Sequence, residues 1–435
     1  MDMRSFWQDT ELPRYNSLSG NTKTDVLIIG SGIAGLLTAF FLRQAGIHCI
    51  VAEAAQIGSG TTRGTTAKVT SQHGLIYGKL MERFGAETAG LYLEANENAI
   101  HTFRELCRDA DCDWEDQASF LYSRSDRAAL EAELETLQSL RYPAEFCHQL
   151  PLPFPTMGAI KFPDQGQFHP LKFLKTLTDG LLIYENTPVR EIKQHYAVTD
   201  HGQIFADSFV VATHFPFLNS HGSYFMKLYQ SRSYVLALEN VPRFPGMYRD
   251  AGESGLSFRH SGEVLLLGGC GHRTGKPGGA WRELEQNVQQ FYPDAKIVSR
   301  WAAQDCMTLD GIPYVGQYSK NTPNLYVATG FNKWGMTGSM VSAKILTDLV
   351  QRKPNPYANI FSPSRSMLHK QLGLNLLESA KNLLTPTAPR YPHLGCALKW
   401  NPQEHSWDCP CHGSRFGENG ELIDNPATDD LKKRE

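Results

Sequence analysis

The chain has 435 residues, 41% of them hydrophobic and 20% charged, with a formal net charge of −3. That length exceeds one small core and predicts two or three lobes of a globular protein rather than a disordered chain. The charge gives no ground for a nucleic-acid or membrane-surface binder, no apolar run reaches the ~18 residues of a membrane span, and Met1-Asp-Met-Arg-Ser-Phe-Trp7 lacks a signal peptide's apolar core, so the expected location is the cytoplasm.

Val26 to Gly30 reads as a buried strand running into a turn. Ile33 to Gln44 reads as a helix ending near Gly46, and His48 to Ala52 as a second strand that stops at Glu53. The turn spells Gly30-Ser31-Gly32-Ile33-Ala34-Gly35, the G-x-G-x-x-G pattern of a dinucleotide-binding βαβ unit. Gly30 suits the tight turn, Gly32 lets backbone approach a pyrophosphate, and Gly35 lets the helix lie on the strand. The helix N-terminus offers free N–H groups and the positive end of its dipole to phosphates. Glu53 follows 18 positions after Gly35, where a carboxylate binds ribose hydroxyls and disfavours a 2′-phosphate. FAD or NAD therefore fits and NADP does not.

Gly58 to Lys68, rich in glycine and threonine, reads as a loop that approaches a ligand. From Leu80 to Leu140 the pattern is helical, until Pro151, Pro153 and Pro155 break it. Leu171 to Asp179 is a predicted helix. Val189 to Ile192, His195 to Thr199, Ile204 to Thr213, Tyr224 to Leu238 and Leu256 to Gly268 are predicted strands. Trp281 to Phe291 reads as a helix. Leu325 to Gly330 is a strand that leads through a glycine loop into a helix from Ser339 to Val350, and residues 352–366 read as a linker. Of nine cysteines, Cys49, Cys107, Cys112, Cys147, Cys270 and Cys306 are scattered and read as free thiols of a reducing compartment, whereas Cys396, Cys409 and Cys411 cluster.

Taken with Gly166-Gln-Phe-His-Pro170, Val189, Val210-Val-Ala-Thr213, Met307-Thr-Leu-Asp310-Gly-Ile-Pro313-Tyr-Val-Gly316 and the loop Gly330 to Gly338, the fingerprint resembles the D-amino-acid oxidase/glycine oxidase superfamily of flavoproteins over residues 6–350. The resemblance implies an α/β fold: a discontinuous Rossmann-like FAD-binding domain with an inserted α+β substrate domain. Its flavin segments would be 1–75, 146–220 and 301–352, and its substrate segments 76–145 (helical) and 221–300 (strands). The resemblance also selects FAD over NAD. It assigns cofactor contacts to Gly30, Ser31, Gly32, Ile33, Ala34, Gly35, Glu53, Ala54, Thr61, Thr62, Thr66, Val189, Ala212, Thr213, Gly330, Gly335, Met336 and Thr337. Thr65 and Thr66 depart from the family's usual loop at that place. Tyr248 and Arg249 fall where relatives clamp a substrate carboxylate, a task that suits the guanidinium fork. His272 could face the pocket, and Lys333 could stabilise a reduced flavin. His73 could lie near the flavin ring, and Cys306 falls in a region where some relatives bond the flavin covalently; a structural role is the plainer reading for both.

After a linker and helix over 353–389, residues 390–435 are similar to a small all-β Rieske domain, shortened into a remnant. Tyr391-Pro-His393-Leu-Gly-Cys396 and Cys409-Pro-Cys411-His412 match its two boxes. The resemblance implies His393, Cys409 and His412 as ligands of a 2Fe-2S cluster and a disulfide between Cys396 and Cys411. Tyr391 stands where the first cysteine ligand belongs. A zinc site from His393, Cys409, Cys411 and His412, or a relic that binds no metal, are the other readings of this segment.

Three functions remain open on these grounds. The first is an FAD-dependent oxidase or dehydrogenase that takes a hydride from the C–H next to nitrogen of an amine or amino acid, with oxygen or an electron carrier as acceptor. The second is a dehydrogenase that passes electrons to a tail-bound cluster. The third is an idle flavoprotein or interaction module.

Overall fold

A computed structural model describes residues 3–218, 221–252, 255–278, 280–367, 369–384 and 396–431. Two large sheets and one small one organise them. The first sheet has eight strands. Its backbone runs in the order Tyr314–Gln317, Leu325–Thr329, Gly202–Val211, Thr22–Ile29, Cys49–Ala52, Leu182–Tyr184. Along this path the inner pairings are parallel and the edge strand Tyr314–Gln317 runs against its neighbour Leu325–Thr329; the two remaining strands, Val189–Ile192 and Tyr196–Thr199, form an antiparallel pair whose second strand runs against Gly202–Val211. Val26 to Ile29 are buried without alternation, as a parallel strand covered on both faces requires. The helices Ile33–Gln44 and Gly335–Val350 pack against each other beside this sheet.

The second sheet has nine strands. It runs Lys296–Thr308, Leu228–Glu239, Val264–Arg273, Ser257–Ser261, Met247–Asp250, Glu115–Ser123, Gly158–Gln167, Lys68–Val69, with Glu145–Cys147 on the flank of Gly158–Gln167. Two helices cover part of it. The long helix Tyr77–Cys107 bends at Gly85, where φ is 80°. Helix Arg127–Ser139 starts at Asp126, whose carboxylate accepts from the Ala129 N–H at 2.9 Å. The helical run expected from Leu80 to Leu140 is thus interrupted by strand Glu115–Ser123. The predicted linker also differs. Arg365 within it donates to both carboxylate oxygens of the buried Asp310 at 2.8 Å each, which fastens the segment to the loop between strands Lys296–Thr308 and Tyr314–Gln317.

The third sheet is antiparallel and four-stranded: Lys399–Asn401, Ser406–Asp408, Arg415–Phe416, Leu422–Asp424. It closes a small core of Cys396, Leu398, Cys409, Cys411, Phe416 and Ala427. So small a core cannot hold alone, and the sheet is pinned to the rest of the molecule by buried charge. Glu404 pairs with Arg232 of the second sheet and with Arg415 of its own, at 2.7 Å for the latter, while Tyr234 donates to Glu404 at 3.0 Å. Asn425 donates to the Thr213 carbonyl, and Arg190 to the Thr428 carbonyl at 2.9 Å.

Candidate flavin and substrate site

A cavity of about 690 Å³ opens where the parallel strands end and the second sheet faces them. The fold forms its first wall from the glycine turn. Gly30 has φ 105°, and a Cβ there would lie 2.6 Å from the Ala212 carbonyl oxygen; a Cβ on Gly35 would lie 1.9 Å from the Gly30 carbonyl oxygen. Both close approaches are what lets strand, turn and helix nest. Thr62 crosses over the helix start and its hydroxyl accepts from the Ile33 N–H at 3.1 Å.

Most of the residues expected at a cofactor line this space: Gly30, Gly32, Ile33, Ala34, Glu53, Ala54, Thr61, Thr62, Thr66, Val189, Ala212, Thr213, Gly335 and Met336. Four stand behind the wall instead. Gly35 is buried by the packing just described. Ser31 is buried and donates its N–H and hydroxyl to Glu53 at 2.8 and 2.7 Å, which fixes the carboxylate beside the turn. Gly330 takes φ 72° behind Thr308, and Thr337 donates to the Thr70 carbonyl at 3.1 Å.

The second sheet brings Arg249, Ser257, Ser233 and Tyr234 to the other wall, and Lys68, Asp305, Lys333 and Trp334 complete it. Arg249 lies over the Trp334 ring at 5.5 Å. Tyr248 and His272 do not join it. Alternation along Met247–Asp250 sends Tyr248 into the core, stacked on Phe120 at 4.7 Å with its hydroxyl on the Pro245 carbonyl, while Arg249 faces the cavity. His272 is outside the wall, between the Tyr234 hydroxyl at 3.0 Å and the Arg273 carbonyl at 3.0 Å. His73 is buried behind Trp334, stacked on it at 4.9 Å and bonded to Tyr92 and Thr70; burial lowers its pKa to about 3, so it stays neutral. Cys306 is buried against Thr329, away from the cavity wall, and burial pushes its thiol up to about 12.

Lys333 donates to Ser233 at 2.9 Å, and Ser233 donates to Asp305 at 3.0 Å, so one hydroxyl joins a cation to an acid. Two polar atoms of the wall are buried with no protein partner, His214 Nε2 and Ser339 Oγ. Neither was foreseen. His214 directly follows the strand-end pair Ala212-Thr213, which was the one signal available. Tail residues Leu422, Asp424, Asn425 and Thr428 line the cavity as well.

Cys396 and Cys411 form the disulfide that the Rieske resemblance implies. Their sulfurs and that of Cys409 lie within 4.8 Å of one another. Cys409 and His412 are both buried. Tyr391 and His393 lie outside the described residues. With Cys411 in the disulfide, the zinc set loses one of its thiolates.

The chain belongs to the FAD-dependent oxidoreductase family, whose pattern matches residues 25–349, and carries a Rieske [2Fe-2S] domain over residues 374–435. It is 35% identical across 99% of its length to YhfW of Bacillus subtilis (strain 168), whose name assigns it provisionally to the Rieske 2Fe-2S iron-sulfur proteins, and covers 97% of that protein. Forty residues are 48% identical to cytochrome b6-f complex iron-sulfur subunit 3 of Nostoc sp. (strain PCC 7120), 9% of this chain and 22% of that one. Among solved structures, glycine oxidase from Geobacillus kaustophilus matches with a TM-score of 0.66 at 20% identity, covering 79% of this chain and 99% of that one. L-proline dehydrogenase from P. horikoshii matches at 0.67 and 16%, covering 80% and 98%. At these identities the likeness is one of fold. Among the described residues no helix is long and apolar enough to cross a membrane.

FAD, the family's cofactor, fits what is present. The cavity joins the glycine turn at a helix N-terminus to a polar wall, and it holds buried polar atoms that lack protein partners. The 2Fe-2S cluster fits in part. Cys409 and His412 are a thiol and an imidazole in one buried loop, but Tyr391 stands where the first cysteine ligand belongs, and a phenolate is a harder ligand.

Proposed function

We propose that the protein oxidises the C–H bond next to nitrogen in an amine or amino acid. Bound FAD supplies the chemistry by accepting the hydride at its N5. The observation that carries this reading is the single cavity running from the Gly30–Gly35 turn to Arg249 and Trp334 on the second sheet. In this reading the turn and the N-terminus of helix Ile33–Gln44 receive the pyrophosphate, and Glu53, held by Ser31, receives a ribose. Arg249 grips a substrate carboxylate through two parallel N–H bonds. Lys333, tethered through Ser233, stands where a cation offsets negative charge on the reduced ring. No side chain need act as base if the amine enters neutral. The test is anaerobic mixing of the flavin-loaded protein with a panel of amines and amino acids. Substrate oxidation bleaches the flavin band; a band that no member bleaches assigns the chain to the idle class.

A second reading, electron delivery to a cluster in the tail, is favoured by one contact. Gln230, on a second-sheet strand beside the site, donates to the His412 carbonyl at 3.1 Å and to the Asn425 carbonyl at 2.8 Å. Iron and acid-labile sulfide on the isolated protein decide it: two of each per chain support a cluster, and neither leaves the tail structural.

A further inference from the structure

Two cations, Lys68 and Arg249, line the second-sheet end of the cavity and a third, Arg259, is buried outside its lining; none has a carboxylate in ion-pair distance among the described residues. Lys68 donates to Ser257 Oγ. Arg249 lies directly across from Ser257 in the strand pair, over Trp334. Arg259, two positions along from Ser257, is fully buried and uses its guanidinium on the Thr66, Ala67 and Phe168 carbonyls, the first two in the segment that leads into Lys68. Lys333 differs from all three, because Ser233 links it to Asp305. Like charges gathered away from bulk water repel, and the nearby carboxylates act from beyond ion-pair distance, Asp305 and Asp250 on Arg249 and Glu115 and Asp113 on Arg259, so an anion entering the cavity would relieve the repulsion. The strain registers on the groups themselves: burial first, then Arg259 and Arg249, lower the Lys68 pKa well below its ordinary value. Burial likewise lowers that of Arg249, against Asp305 and Asp250, which raise it.

We propose that the substrate is a dicarboxylic amine, an amino- or imino-dicarboxylic acid, with Arg249 taking one carboxylate and Lys68 the other. This rests on the reading of the cavity end as the substrate site. A single carboxylate on Arg249 leaves Lys68 facing Arg259 without a counter-charge. Two carboxylates give the planar fork a bidentate partner and give the ammonium a point-charge partner. Ser257, between them, orients the ammonium toward the cavity.

The experiment titrates the flavin-loaded protein with unreactive acids of matched length and reads the shift of the flavin spectrum. Succinate is compared with butyrate, and glutarate with valerate. Each dicarboxylate is expected to bind at least about tenfold more tightly than its partner, the scale of one charge-assisted hydrogen bond. Lys68→Met should abolish that difference, while Arg249→Met weakens all four acids. Equal binding within each pair overturns the proposal and leaves the acid-substrate reading intact. A difference that persists in Lys68→Met overturns the role of Lys68. If none of the four perturbs the flavin, the reading of the site as an acid-substrate pocket fails with it. The wild-type comparison needs no variant, and Lys68→Met removes a repelling charge, so its melting temperature should not fall.

Discussion

A Cβ at position 35 cannot coexist with the Gly30 carbonyl 1.9 Å away, so Gly35→Val must lift helix Ile33–Gln44 from its strand. The variant should purify with little flavin, read as the ratio of flavin to protein absorbance. Arg249→Met should raise KM for acid substrates about ten- to a hundredfold, the loss of a charged hydrogen-bonding pair, with a smaller change in kcat. Arg249→Lys restores the charge but not the fork and should recover only part of the loss. At this scale the fingerprint glycines and Glu53 were legible, because each has a steric or charge reason tied to spacing. Tyr248 and Arg249 could not be told apart, because no strand was read at Met247–Asp250 and alternation had nothing to act on. His272 sits next to Gly271, which does line the cavity, so adjacency in sequence misled. Lys68 appeared only as the end of a loop; its meaning comes from Arg249 and Arg259, 181 and 191 positions away.

Among elements, the βαβ unit and the late strand–glycine–helix passage were readable since their apolar runs are unbroken. Strands Glu115–Ser123 and Gly158–Gln167 were not. The first follows a polar start, Glu115-Asp-Gln117, and its pairing slips between Gln117 and Ser119. The second holds Pro163 and Gly166, which read as breakers. The predicted linker shows a related limit, because what fixes it is Arg365 reaching Asp310 across 55 positions. Burial alone would raise the Asp310 carboxyl, but Arg365 holds it below its ordinary value. A depressed folded-state pKa means that its contribution is complete above the unfolded pKa and fades as pH falls through the folded one. Chemical denaturation from pH 7 down to pH 3 should therefore show stability falling below the ordinary carboxylate range, and Arg365→Ala should flatten that fall. The same variant strands a buried carboxylate and should cost about 3–5 kcal/mol at neutral pH.

Across the whole molecule, the tail is bolted on rather than appended. A Cβ on Gly413 would lie 2.6 Å from the Gln230 side chain, and Gln304 donates to the Gly413 carbonyl at 2.9 Å, so the cysteine–histidine loop rests directly on the second sheet. Glu404 is the key of this junction. Its carboxyl, which burial would raise, is held low by Arg232 and Arg415. Glu404→Ala leaves Arg232 and Arg415 with Asp408 and Asp424 as their remaining acids and should cost about 1.5–3 kcal/mol in denaturant unfolding. Limited proteolysis of that variant should cut the tail first while the first two sheets persist. The Rieske boxes were legible from residue identity alone. Their docking was not, since Arg232 and Gln230 carry no motif and act through distance in space.

The cavity wall contributed by Leu422 to Thr428 has a consequence for biogenesis. A ribosome finishes the glycine turn of residues 30–35 early and this wall hundreds of residues later. A nascent chain therefore presents the glycine-turn half of the cavity long before the cavity can close. Cofactor capture in the cell should be a post-translational event, and a stalled or prematurely terminated chain should leave the ribosome as apoprotein.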